Sequence, residues 1–275
     1  MKKKLVPRRQ SADLRNRPVP QSPVAIDTDE YQQVSIDSQS KQFAEPLVDL
    51  AAFGIATENF YGRSDMLNAP IHQRFPSSMN SVYARRGIAR RLATVNTLLA
   101  PYGIELLVFD AFRPVSVQQE LWDWFIAEAR RTLANPSEQD CRRFALRFCS
   151  DPRHFDANNA STWPTHSTGG AIDLTLRELG SGRPLHMGGI YLDPSEVSRT
   201  RHYEENLRAN SRSDIEAQRN RRLLYWSMVR AGFVNYPFEW WHFDCLTQAW
   251  VMNKGFPKGL KAAYGLANRG QSADR

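Results

Sequence analysis

Two rhythms of apolar positions run along this chain. Between residues 80 and 99, Ile88, Leu92, Val95 and Leu99 recur at helical spacing, and "PYG" (101–103) ends that helix. "IELLVFDAF" (104–112) is an unbroken apolar run of strand length. A second helix follows in "RPVSVQQELWDWFIAEARRTL", with Val117, Leu121, Trp124 and Phe125 on one face and a capping box at Ser116 and Gln119. A third helix is expected over 137–149. "THSTGGAIDLTL" (165–176) reads as a hairpin, its strand Ala171–Leu176 following a Gly169–Gly170 turn. A polar stretch (177–213) precedes a helix over 214–231 that stops at Gly232, and "FVNYPFEWWHFD" (233–244) is rich in strand residues. Few of these strands are separated by crossover helices. The pattern therefore predicts an α+β fold with a central, mainly antiparallel sheet flanked by helices.

The ends carry no such rhythm. Residues 1–44 are polar and proline-containing and are expected to be a basic tail or linker. Residues 45–250 read as one domain without internal repeats, and 251–275 as a basic C-terminal tail. The net charge of +7 belongs to these ends. Residues 1–20 hold seven basic residues and one acid, and 251–275 hold five and one, which leaves 21–250 at −3. A nucleic-acid-binding body is therefore not expected. The basic opening lacks an apolar signal core, and no later stretch reaches the length of a membrane span. Of three cysteines, Cys141 and Cys149 would lie about 12 Å apart on a helix, too far to bridge. A reducing, cytoplasmic setting is expected, with the oligomeric state left open.

Asp173 interrupts the apolar strand between Ile172 and Leu174. A buried carboxylate costs several kcal/mol unless a cation or hydrogen-bond donors compensate for it. Other ionisable residues sit among apolar neighbours: Asp110 and Arg113 in "VFDAFRP", His166 before the glycine turn, and Glu239 and His242 in "FEWWHF". Two histidines and an aspartate suit zinc, with a fourth position left open for water. The glycine turn would bring His166 back beside Asp173, and His242 would come from another strand of the same sheet. Glu239 would reach the water in the open position and move its proton to a leaving amine. Residues 239 and 242 point to opposite faces of a regular strand, so "EWWH" must bend. Arg113, permanently charged, would stabilise an oxyanion. Singly, each residue has a bland reading as a satisfied core or strand-end group; together they describe a hydrolytic metal site. Cys245 is a lesser candidate ligand, His202 a spare, and Trp240 and Trp241 are expected as core.

"THSTGGAIDLTL" matches the pattern S-x-H-x-x-G-x-A-x-D-L-T in all but its first position, and "FEWWHF" contains E-W-W-H. "FDAFRP", "ATENFYG" and residues 220–243 add to the likeness. Over roughly 45–250 the chain resembles the D-alanyl-D-alanine dipeptidases of the vancomycin-resistance type, in the zinc D-Ala-D-Ala peptidase and Hedgehog-like group. The resemblance implies one zinc ion on His166, Asp173 and His242, with Glu239 as base and acid and Arg113 as transition-state stabiliser. It implies hydrolysis of D-Ala-D-Ala or a similar small peptide. The same scaffold also carries peptidoglycan D,D-carboxypeptidases or endopeptidases, and non-catalytic zinc-binding domains. Pro164 stands where the pattern has serine, and Ile55 stands near a usual tyrosine. "MGGIYLD" carries one residue more than the family's Met-Gly-x-x-Phe-Asp stretch, which makes Asp193 the candidate for holding the substrate's amino group.

Overall fold

The computed structural model describes residues 13–23, 29–206 and 211–267. Its main sheet has five strands in the order β2 (Ala56–Thr57), β4 (Ile104–Asp110), β5 (Ala171–Glu178), β7 (His242–Asp244) and β6 (Val234–Asn235). Only β2–β4 is parallel. A separate antiparallel pair joins β1 (Leu47–Asp49) to β3 (Tyr83–Arg85). The six helices described are α1 (Arg86–Leu99), α2 (Val115–Thr132), α3 (Glu138–Leu146), α4 (His202–Glu205), α5 (Arg212–Arg230) and α6 (Gln248–Met252). The expected α+β fold with a mainly antiparallel sheet is the fold observed.

Periodicity placed the long elements. The α1 stripe Ile88, Leu92, Val95 and Leu99 is fully buried, at about 1.5–3 kcal/mol for each large side chain removed from water. Gly103 ends that segment in the left-handed region with φ 69°. On α2 the buried tryptophan is Trp122, and Trp124 is only partly covered. The predicted Ser116–Gln119 box does not form: Pro114 is the N-cap and no side chain caps the turn. The box sits instead on α3, where Ser137 and Asp140 satisfy each other's backbone N–H groups.

The expected hairpin is replaced by a tighter device. Residues Thr165–Thr168 form a 3₁₀ turn rather than a strand, and Gly169 leaves it at φ 73° into β5. Gly170 has no room for a side chain. A Cβ there would lie 2.9 Å from the Cys245 carbonyl oxygen and 2.7 Å from Thr247 and Tyr264. That close approach lets the Gly170 carbonyl accept from Cys245 N–H at 3.0 Å, which locks the start of β5 to the end of β7.

The expected tails are also corrected where they are described. Leu14 and Val19 are buried, Arg17 stacks over the Trp226 ring at 3.3 Å, and Val19 N–H donates to Glu204. Beyond residue 250, Val251, Met252, Ala262 and Tyr264 are buried. These short segments dock through isolated apolar residues, so no period marks them in the sequence. The basic positions at 1–12 and 268–275 lie outside the described residues. Among the described residues no helix is long and apolar enough to cross a membrane.

Candidate active site

Asp173 and His242 face each other as register partners across β5 and β7. His166 arrives from the 3₁₀ turn, whose backbone is tied to the loop between β4 and α2 by Arg113 N–H donating to the His166 carbonyl at 3.2 Å. One ligand atom from each of the three residues lies within 4.8 Å of the other two, and all three side chains are buried.

The hydrogen bonds on the far side of each ring decide what the near side can do. His166 Nδ1 lies 2.8 Å from the Ala111 carbonyl, which can only accept, so Nδ1 carries the proton and Nε2 presents a lone pair. His242 Nε2 lies 3.0 Å from Asp244 Oδ2, and Nδ1 turns inward. That Nδ1 sits 3.2 Å from His166 Nε2 and 2.9 Å from Asp173 Oδ1. Two imidazole nitrogens and a carboxylate oxygen converge, each ring held by an outer partner, as histidine ligands of metals are held. This donor set fits zinc.

The electrostatics favour positive charge at the same point. Burial pushes the Asp173 carboxyl up, but His166 and His242 outweigh it and hold it well below the usual carboxylate range. Burial pushes His242 down, yet the carboxylates of Asp244 and Asp173 keep its ring well above the ordinary histidine value.

A second layer of contacts fixes Asp173. Tyr191 donates its hydroxyl to Oδ2 at 2.7 Å, and Arg113 Nη2 lies 3.2 Å from the same oxygen. A bulge at Phe109 resets the β4 register and sets Asp110 opposite Asp173. Two facing carboxylates repel, and Arg113 offsets this by donating Nε to Asp110 Oδ2 at 2.8 Å. Its Nη1 donates to Gln118 at 2.8 Å, and its guanidinium lies over the Tyr61 ring at 5.2 Å. Burial works against the Arg113 charge, but the oxygens of Tyr61, Asp110, Tyr191 and Asp173 outweigh it.

Glu239 stands in the turn between β6 and β7, so "EWWH" bends as its spacing required. The Asn235 amide holds that turn by donating to the carbonyls of Glu239 at 3.0 Å and His242 at 2.9 Å. Glu239 Oε2 lies 3.8 Å from His242 Nδ1, beside the His166–Asp173–His242 cluster but not part of it. Arg113, Glu239, His166, Asp173 and His242 line one cavity of about 90 Å³.

Asp193 is not brought there. Its carboxylate accepts from Ser195 N–H at 2.9 Å and braces its own loop, and it is not among the residues that line the cavity. Cys245 is outside the cluster, buried, and its thiol is pushed up to about 11 chiefly by that burial. Trp240 and Trp241 are buried in the core as expected.

With this geometry in place, comparison with known proteins is decisive. The peptidase M15 family, described as D-Ala-D-Ala dipeptidase, matches residues 72–261. The chain belongs to the D-Ala-D-Ala dipeptidase family. The D-alanyl-D-alanine dipeptidase of a Synechocystis strain is 36% identical over 195 residues, covering 66% of this chain and 76% of that protein. The Escherichia coli D-alanyl-D-alanine dipeptidase is 32% identical over 142 residues, covering 52% of this chain and 55% of that protein. A vancomycin-resistance D,D-pentapeptidase, VanY, solved with Zn(II), is a distant likeness: 18% identity, TM-score 0.37, covering 66% of this chain and 83% of that one. All five converging site residues fall inside the family-matched span.

Sequence reasoning missed Asp244 and Tyr191. Asp244 had a legible signal, since a carboxylate two positions after a strand histidine shares its face. Tyr191 had none: it reaches Asp173 from a loop eighteen residues later.

Proposed function

We propose that this peptidase hydrolyses D-Ala-D-Ala to two D-alanines, with one zinc ion held by His166, Asp173 and His242. The observation that carries the reading is the ring orientation: both outer imidazole nitrogens are taken, by Ala111 and Asp244, and both inner ones turn toward Asp173. When bound, zinc supplies Lewis-acid polarisation of the scissile carbonyl and makes water a nucleophile near neutral pH. Glu239, beside the ligands, takes the proton of the attacking water and returns it to the leaving amine. Arg113 offers its guanidinium to the developing oxyanion while keeping Asp110 and Asp173 apart. Asp193, held by its own loop, is assigned no substrate contact. The catalytic unit includes the docked residues before 45 and after 250. A cytoplasmic setting is supported by three buried free thiols, Cys141, Cys149 and Cys245.

The test is metal analysis paired with a dipeptide panel. One zinc per chain and chelator-sensitive release of D-alanine from D-Ala-D-Ala are expected. Glu239→Ala is expected to lower turnover by about 10²–10⁴-fold while zinc stays bound. Absence of chelator-sensitive hydrolysis of D-Ala-D-Ala overturns the assignment, and an unchanged rate in the Glu239 variant removes that residue's role.

A further inference from the structure

The cavity has a wall residue that the family match does not include. Tyr31 lines it together with Ala249 and Met252, and these three residues form a small apolar cluster of their own. The matched span begins at residue 72, forty-one positions later in the chain. Tyr31 belongs to a 3₁₀ turn, Asp29–Gln33, and is buried although this stretch is polar in sequence.

That turn is fastened on two sides. The Gln248 side-chain amide, at the start of α6, donates to the carbonyls of Gln32 at 3.2 Å and Val34 at 2.8 Å. The next residues continue the attachment: Ala262 N–H donates to the Ser35 carbonyl at 3.0 Å, and Asp37 N–H to the Ala262 carbonyl at 2.8 Å. Away from α6 the turn also packs on the 3₁₀ turn Ala160–Thr162. That second turn leads into Pro164 and Thr165, which line the same cavity. The segment therefore bridges two parts of the cavity wall that are far apart in sequence, with Tyr31 between them.

A peptide longer than two residues must continue past the residue on the amino side of the scissile bond, and so needs an open path out of the site. We propose that the Asp29–Val34 segment is a roof, with Tyr31 its contact residue, that confines the substrate to a free dipeptide and excludes peptides extended at the amino end. The inference rests on the hydrolytic reading of this cavity. It adds a specificity-determining residue that lies outside the matched span.

The experiment compares D-Ala-D-Ala with the tripeptide L-Lys-D-Ala-D-Ala in wild type, Tyr31→Ala, Tyr31→Phe and Gln248→Ala. D-alanine release gives kcat/KM. Calorimetric binding to the zinc-loaded protein in a Glu239→Ala background gives a readout independent of turnover. In Tyr31→Ala, preference for the tripeptide over the dipeptide is expected to rise about tenfold or more in both readouts, the scale of reshaping an apolar pocket. Tyr31→Phe keeps the wild-type ratio because the ring remains. Gln248→Ala, which unfastens the segment from outside the cavity, shifts the ratio in the same direction by less. Unchanged ratios in both Tyr31→Ala and Gln248→Ala overturn the roof, as does a wild type that accepts the tripeptide as readily as the dipeptide. A wild type that releases no D-alanine overturns the proposed function, while the binding ratio still decides the roof. Failure of both peptides to bind overturns both.

Discussion

His166 Nε2 and His242 Nδ1 face each other at 3.2 Å, each on a ring whose opposite nitrogen is already engaged. Two ring nitrogens so aimed require positive charge between them or on one of them, and Asp173 adds a carboxylate to the same point. A zinc ion at the proposed site would fit this geometry, and the outer partners of the rings would tune its affinity.

Asp244 gives the sharpest check on that relationship. It is fully buried, accepts from His242 Nε2 at 3.0 Å and is itself braced by the Thr247 hydroxyl at 2.7 Å. Asp244→Asn keeps the shape but removes the charge that fixes the ring. Zinc affinity is expected to fall about 10–100-fold, measured by competition with a chromophoric chelator. Equal affinity in the variant removes Asp244 from the metal's support.

Arg113→Lys separates charge from geometry. A lysine retains the positive charge but cannot engage Asp110, Gln118 and Asp173 together, since it lacks the planar fork. A loss of about 10²–10³ in kcat is expected, the scale of a lost oxyanion donor, with a smaller change in KM. A change confined to KM would place Arg113 in ground-state binding instead.

Glu204 predicts the acid behaviour of the docked N-terminal segment. Burial pushes its carboxyl up, but the Arg222 guanidinium and the Val19 N–H outweigh this and hold it below its ordinary value. A carboxylate depressed in the folded state contributes stability above its unfolded value near 4.5, and that contribution is lost as pH falls through the folded value. Glu204→Gln is expected to cost about 1–2 kcal/mol at pH 7. Its urea midpoint should fall less steeply than the wild type's between about pH 5 and 3. Parallel midpoints across that range would show that Glu204 carries no part of the acid sensitivity.

The chain's local chemistry determined a good deal by itself. Spacing alone marks the buried stripe of α1, the apolar run of β4 and the strand that carries Asp173, because burial on one face writes a period into the sequence. An acid among Ile172 and Leu174 demands a cation or donors, and the three-position step from Glu239 to His242 demands a bend; Arg113 and Tyr191 meet the first and the turn before β7 meets the second. Tertiary structure alone decided the rest. The Ala111 carbonyl that sets the His166 tautomer has no side-chain signature. Tyr191 and Tyr31 reach the site from segments whose local sequence says nothing of their partners. Period and composition report how each segment meets water, whereas a site is made by distances between segments, and those exist only once the sheet has paired and the ends have docked.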